Sequence, residues 1–100
     1  MCDFDENARV ILPGQVIQGL DNIKGGLGGV GSLLGGAVPQ VQTLTSARSV
    51  VLLTFTANGN PCTIPDGADT YVVERGHITV QTVHDTLHSA PNATCPVGAL

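Results

Sequence analysis

Asp69-Thr70-Tyr71-Val72-Val73-Glu74-Arg75-Gly76-His77-Ile78-Thr79-Val80-Gln81-Thr82-Val83-His84-Asp85 is the stretch whose reading decides the fold. On both sides of Glu74-Arg75-Gly76, apolar and β-branched residues recur with the period of a half-buried strand, so the segment from Ala68 to His88 reads as a strand folded back on itself. A type I turn over Glu74 and Arg75, with Gly76 in the left-handed region, makes a three-residue loop that pairs Val73 with His77 and Asp69 with Gln81. Asp69 then shares a face with Gln81, Val83 and Asp85. A two-residue loop slips the register by one and sets Asp69 opposite Thr82, with His84 diagonally near.

Working outward, Val38 to Thr45 and Ser49 to Ala57 also have strand character. Asn58-Gly59-Asn60-Pro61 turns the chain between strands, and Pro65-Asp66-Gly67 marks a break before Ala68. Ala8 to Leu12 and Gln15 to Gln18 form a small bent hairpin about Pro13-Gly14. Asp21 or Asn22 can cap a helix whose Ile23, Leu27, Val30 and Leu34 keep helical spacing. Seven glycines from Gly25 to Gly36 burden that helix. Each costs about 1 kcal/mol against alanine, so a short or frayed helix is expected. Residues 1–89 read as one domain and 90–100, with Pro91, Pro96 and Gly98, as a flexible tail. Helix and strands are segregated along the chain, which predicts an α+β fold: a curved antiparallel sheet with the helix packed on its concave face. A small-molecule pocket belongs in such a concavity.

The 100 residues are 42% hydrophobic and 12% charged, enough for a single core, and with no Trp and three other aromatics that core must be aliphatic. A net charge of -4 repels phosphate backbones and anionic lipids, so no nucleic acid and no membrane partner is expected. The start, Met1-Cys2-Asp3-Phe4-Asp5-Glu6, has neither the basic flank nor the apolar stretch of a secretory signal. Cys2, Cys62 and Cys95 are an odd set, read as free thiols in a reducing cytoplasm. Without an export signal, the glycosylation triplet Asn92-Ala93-Thr94 carries no weight.

Four stretches resemble the nuclear transport factor 2-like superfamily, of the SnoaL-like and ketosteroid-isomerase-like kind. Phe4-Asp5-Glu6-Asn7-Ala8 resembles the end of that family's second helix, and Gly19-Leu20-Asp21-Asn22-Ile23 the start of its next one. Asn58-Gly59-Asn60-Pro61-Cys62 is similar to a turn of one ketosteroid isomerase branch, and Asp69 to Ile78 to the family's final hairpin. The resemblance covers Phe4 to about His88 and implies a cone-like α+β barrel, N-terminally shortened, because the family's first two helices have no counterpart. It places the isomerases' basic Asp at Leu12 and their oxyanion-hole Tyr in the missing helices. Asp69 alone matches, at the position of the oxyanion-hole carboxylic acid. Steroid isomerisation is therefore not expected. What the resemblance leaves is isomerase-, cyclase- or hydrolase-type acid–base chemistry without a cofactor.

The candidate catalytic residues are Asp69, Asp85 and His84, with Tyr71, Gln81, Val83 and Phe55 as ligand-binding wall. A carboxyl facing an apolar concavity has its pKa raised by desolvation, and two carboxyls on one wall can divide acid and base roles. The plain alternative is a solvated, polar strand face. His84 and His88 would lie about 13 Å apart along a strand, too far to chelate one ion, so no metal is expected. Gly26-Leu27-Gly28-Gly29-Val30-Gly31 satisfies G-x-G-x-x-G without a βαβ unit or a following acid, so no nicotinamide cofactor is expected either. Ser46, Ser49 and Cys62 have no neighbouring base to activate them, and His77 is a turn residue. Two functions remain: a pocket for a small apolar molecule, or a non-catalytic structural module whose sheet pairs with a second copy as a homodimer.

Overall fold

The computed structural model describes residues 3–97. Its elements are β1 (Phe4–Leu12), β2 (Gln15–Gln18), α1 (Leu20–Leu33), β3 (Gln40–Ala47), β4 (Val50–Ala57), β5 (Cys62–Glu74), β6 (His77–Asp85) and β7 (His88–Ser89). The strands lie side by side in the order β2-β1-β6-β5-β4-β3, with β7 against the start of β5. This is the α+β class expected, with one helix among the described residues and an unclosed curved sheet. The sheet is mixed rather than antiparallel, because β1 runs parallel to β6. Register shifts between Val41 and Thr43, Phe55 and Ala57, and Val72 and Val73 bend the ladder, as bulges do.

Phe4 to Ala8 is strand and not the end of a helix. Ala8 and Val10 alternate into the core while Asn7 and Arg9 face water, a period of two that no helix could bury. Pro13-Gly14 closes the β1–β2 hairpin, with Gly14 at φ 74°, as a type II turn requires. Pro65-Asp66-Gly67 does not break the chain but lies inside β5 as a bulge. A Cβ on Gly67 would stand 2.6 Å from Phe55 Cζ, so this glycine serves the close approach of a ring.

Helix α1 runs unbroken for 14 residues, longer than its glycines suggest. Gly19, not Asp21 or Asn22, is its N-cap, and Asp21 falls in the first turn, where its charge favours the helix dipole. Packing supplies what propensity lacks. Ile23 enters one core cluster with Ala8, Val10 and Val83, while Leu34 just past the helix enters a second with Phe55, Ile64 and Leu87. No described helix is long and apolar enough to cross a membrane.

The described part of the segment after β7, as far as Val97, lies against the body. Ala90 is buried, Val97 packs on the second cluster, and Cys95 is disulfide-bonded to Cys62. Cys62 and Cys95 are therefore not the free thiols expected, and they give no support to a reducing cytoplasm. Cys2 and residues 98–100 lie outside the described residues.

Candidate functional site

The β5–β6 hairpin starts in the two-residue-loop register considered from sequence and then leaves it for a third register that was not considered. Glu74 pairs with His77 across a two-residue loop, Arg75 and Gly76, both at positive φ as a type I′ turn needs. One extra residue in β6, Thr79, then shifts the ladder, so that Val72 pairs with Val80, Tyr71 with Gln81 and Asp69 with Val83. Pairing differs from expectation, but the face does not: turn and bulge each change the register by one. Asp69, Tyr71, Gln81, Val83 and Asp85 therefore share the face beneath α1.

All five line a cavity of about 490 Å³. It lies between the two core clusters, roofed by Ile23, Leu27, Val30 and Leu34 and walled by Phe55 and Ile64. Gly26 lines it without a side chain, and a Cβ there would stand 3.0 Å from Ile17 Cδ1. Leu12, at the position the family resemblance gave to a base, contributes an apolar wall. Ile17, Ile23, Leu27 and Ile78 were not singled out as ligand contacts from sequence. The helical spacing of Ile23, Leu27, Val30 and Leu34 held that signal, since the inward face of a lone helix over a sheet must roof whatever space remains.

The polar end of this cavity is buried: Asp69, Gln81 and Asp85 are 6%, 4% and 4% exposed. Gln81 Nε2 donates to Asp69 Oδ2 at 3.1 Å and to the Tyr71 hydroxyl oxygen at 3.3 Å, which uses both amide hydrogens. The Tyr71 proton is left free to donate. Asp69 Oδ1, Gln81 Oε1 and Asp85 Oδ1 have no partner among the described residues. Asp85 stands opposite Gly67, so no side chain separates it from Asp69 along the wall.

Burial raises the pKa of Asp69, while hydrogen bonds from Asp85, from Gln81 and from the His84 backbone N–H hold it back. Asp85 is raised further, to about 7, first by burial, then by the charge of Asp69 and the hydrogen bond it gives that carboxylate. Both carboxyls are thus raised, and the pair retains one shared proton towards neutrality. Burial, and then the nearby Asp69 and Asp85 charges, push Tyr71 up to about 12, so it stays a neutral donor.

His84 does not join this group. It pairs with Ala68 on the opposite face and is exposed, so the Asp69–His84 arrangement expected for a slipped register is corrected by the bulge at Thr79. His88 is exposed on β7, a different strand from His84. Among the described residues no three His, Cys, Asp or Glu side chains gather as a metal site would need.

No protein-family model and no curated protein matches this sequence. Solved structures do match its shape. An NTF2-like protein of unknown function from Cytophaga hutchinsonii is 20% identical and superposes with a TM-score of 0.69, covering 84% of this chain and 70% of its own. A candidate polyketide cyclase from Sinorhizobium meliloti is 17% identical, with a TM-score of 0.68 over 80% of this chain and 73% of its own. A candidate SnoaL-like polyketide cyclase from Jannaschia sp. CCS1 is 12% identical, with a TM-score of 0.71 over 83% of this chain and 67% of its own. The chain has the nuclear transport factor 2-like fold, the cone-like α+β architecture that the family resemblance implied.

Proposed function

We propose that this protein binds a small, mostly apolar molecule in the cavity under α1 and moves a proton on it with the Asp69–Asp85 pair. The observation that carries this reading is the pair itself: two buried carboxyls at the end of an apolar chamber of about 490 Å³. Such desolvated groups are costly unless used, and functional sites are where they gather. Asp85 is the acid, because its proton persists to about pH 7. Asp69, whose charged form accepts from Gln81, is the base. The Tyr71 hydroxyl, its oxygen occupied by Gln81, offers its proton to a ligand oxygen. A ketone seated there would take the Asp85 hydrogen bond from Asp69 onto its oxygen, beside that of Tyr71, and lose an α-carbon proton to the freed Asp69 carboxylate. The enolate so formed takes that proton back at carbon, an isomerase- or cyclase-type step that calls on no cofactor. The polyketide-cyclase descriptions of two structural neighbours support the same class of chemistry for this fold.

A cofactor-free test uses 2-tetralone, an apolar bicyclic ketone. In deuterated buffer the wild-type protein is expected to speed exchange of its α-hydrogens, and Asp69→Asn to abolish that while still binding. Binding shifts in the amide NMR spectrum that miss α1 and the β5–β6 wall, or exchange unaffected by Asp69→Asn, would contradict the proposal.

A second reading rests on the other face of the sheet. Val16, Ile11, Thr82, Thr70, Leu52 and Thr45 are cross-strand neighbours in a single uncharged row. Ile11, Val16 and Leu52 are 41%, 59% and 41% exposed. An uncharged, mostly β-branched row that crosses the sheet suits a second copy packed face to face, so we propose a homodimer through it, with or without catalysis on the concave side. Light scattering decides: a dimer that Leu52→Lys splits supports it, and a monomer at high concentration removes it.

A further inference from the structure

We infer that Asn92 is an N-glycosylation site and that this chain is built for an oxidising, glycosylating compartment. Two independent observations meet within four residues of sequence. The first is the disulfide between Cys62 and Cys95. Cys62 is fully buried within the cluster of Phe55, Ile64 and Leu87, so the bond is part of the core and not a surface thiol pair of the redox-sensing kind. Structural disulfides of this sort form and persist in secretory and extracellular surroundings.

The second is Asn92-Ala93-Thr94, an acceptor triplet whose middle residue is not proline. The disulfide gives this triplet the chemical setting that the acidic start of the sequence did not. Its placement fits the same use. Ala93 N–H donates to Ala90 O at 3.1 Å, closing a tight turn with Pro91 and Asn92 at its centre. Asn92 sits there at φ 59°, and both Asn92 and Thr94 are exposed. The turn stands outside the cavity, since neither residue lines it, so a bulky glycan there leaves the chamber open.

The donor is a lipid-linked oligosaccharyl diphosphate. Asn92 Nδ2 forms the bond to the anomeric carbon, the carbon–oxygen bond to the diphosphate breaks, the lipid diphosphate leaves with the electron pair, and one amide proton passes to solvent. A glycan anchored three residues before Cys95 also covers the strap that the disulfide ties down, shielding the outer side of Pro91 to Pro96 from proteases.

The test is the mass of the protein taken from its own source under non-reducing conditions, together with an endoplasmic-reticulum-directed copy made in cultured eukaryotic cells. The expected result is a hexose-spaced series above the 10.2 kDa chain that collapses on treatment with peptide-N-glycosidase, with the Cys62 and Cys95 peptides still cross-linked. In the directed copy, Thr94→Ser keeps the series, while Asn92→Gln and Thr94→Ala lose it and retain the disulfide. Unmodified mass in the natural protein, alkylatable thiols at both cysteines, or a series that survives Asn92→Gln overturns the inference.

Discussion

Asp85→Asn should remove a dependence of stability on pH that runs against the usual one. In the folded chain Asp85 holds its proton to about pH 7, against an ordinary value of 3.8. The folded form therefore binds more protons than the unfolded one between those limits. Stability is full below the lower value, falls as pH rises towards the upper, and is level beyond it. Three pK units correspond to about 4 kcal/mol if nothing screens them. Water entering the open cavity reduces this, and about 1–2 kcal/mol is the part we expect to observe. Asparagine keeps the shape, stays neutral at every pH and can still donate to Asp69. Urea unfolding of both proteins from about pH 4 to about pH 7.5, with m-values compared for two-state behaviour, gives the difference curve, in which the carboxylates remote from Asp85 cancel and Asp69 enters only through its coupling to Asp85. The two proteins should be nearly equal in stability at the acid end, and the variant the more stable by about 1–2 kcal/mol at the neutral end. A flat difference curve, or one in which the wild type gains on the variant as pH rises, refutes the argument.

Gly28→Ala, on the exposed side of α1 with nothing within 4 Å of its new Cβ, should stabilise the protein by about 0.5–1 kcal/mol, read as a raised urea midpoint. Gly67→Ala should do the reverse, costing about 1–3 kcal/mol by driving the Phe55 ring away, with tetralone affinity falling alongside. Cys95→Ser opens a link across 33 residues and should lower stability by about 3–4 kcal/mol on the loop-entropy account, seen as a lower thermal midpoint that reductant does not lower further. Binding of 2-tetralone should weaken as pH rises through about 7, because the Asp85 proton that holds its oxygen is then lost; calorimetric titration on either side of that pH measures it.

What the sequence made legible follows from where its patterns are local. Asp69, Tyr71, Gln81, Val83 and Asp85 fell on one face because a period of two fixes parity, and the bulge at Thr79 restored the parity that the two-residue turn had shifted. Nothing in Ile78-Thr79-Val80 announces that bulge, so exact pairing was beyond reach and His84 was misplaced with it. Phe4 to Ala8 was read through a family likeness when its alternation already spelled a strand. Pro65-Asp66-Gly67 has turn composition, yet Gly67 answers to Phe55, a contact made only in the folded sheet. Cys62 and Cys95 are far apart in sequence, and only the return of β7 along the start of β5 brings them together.

Carbon-13 NMR of the aspartate carboxyl groups, followed across pH, goes straight to the shared proton. The Asp85 signal should turn near pH 7, with Asp69 responding to the same step, and the turn should vanish with Asp85→Asn. Both carboxyls ionising together in the ordinary range near 4 would mean that the chamber's polar end is simply wet, and the proposed chemistry would go with it.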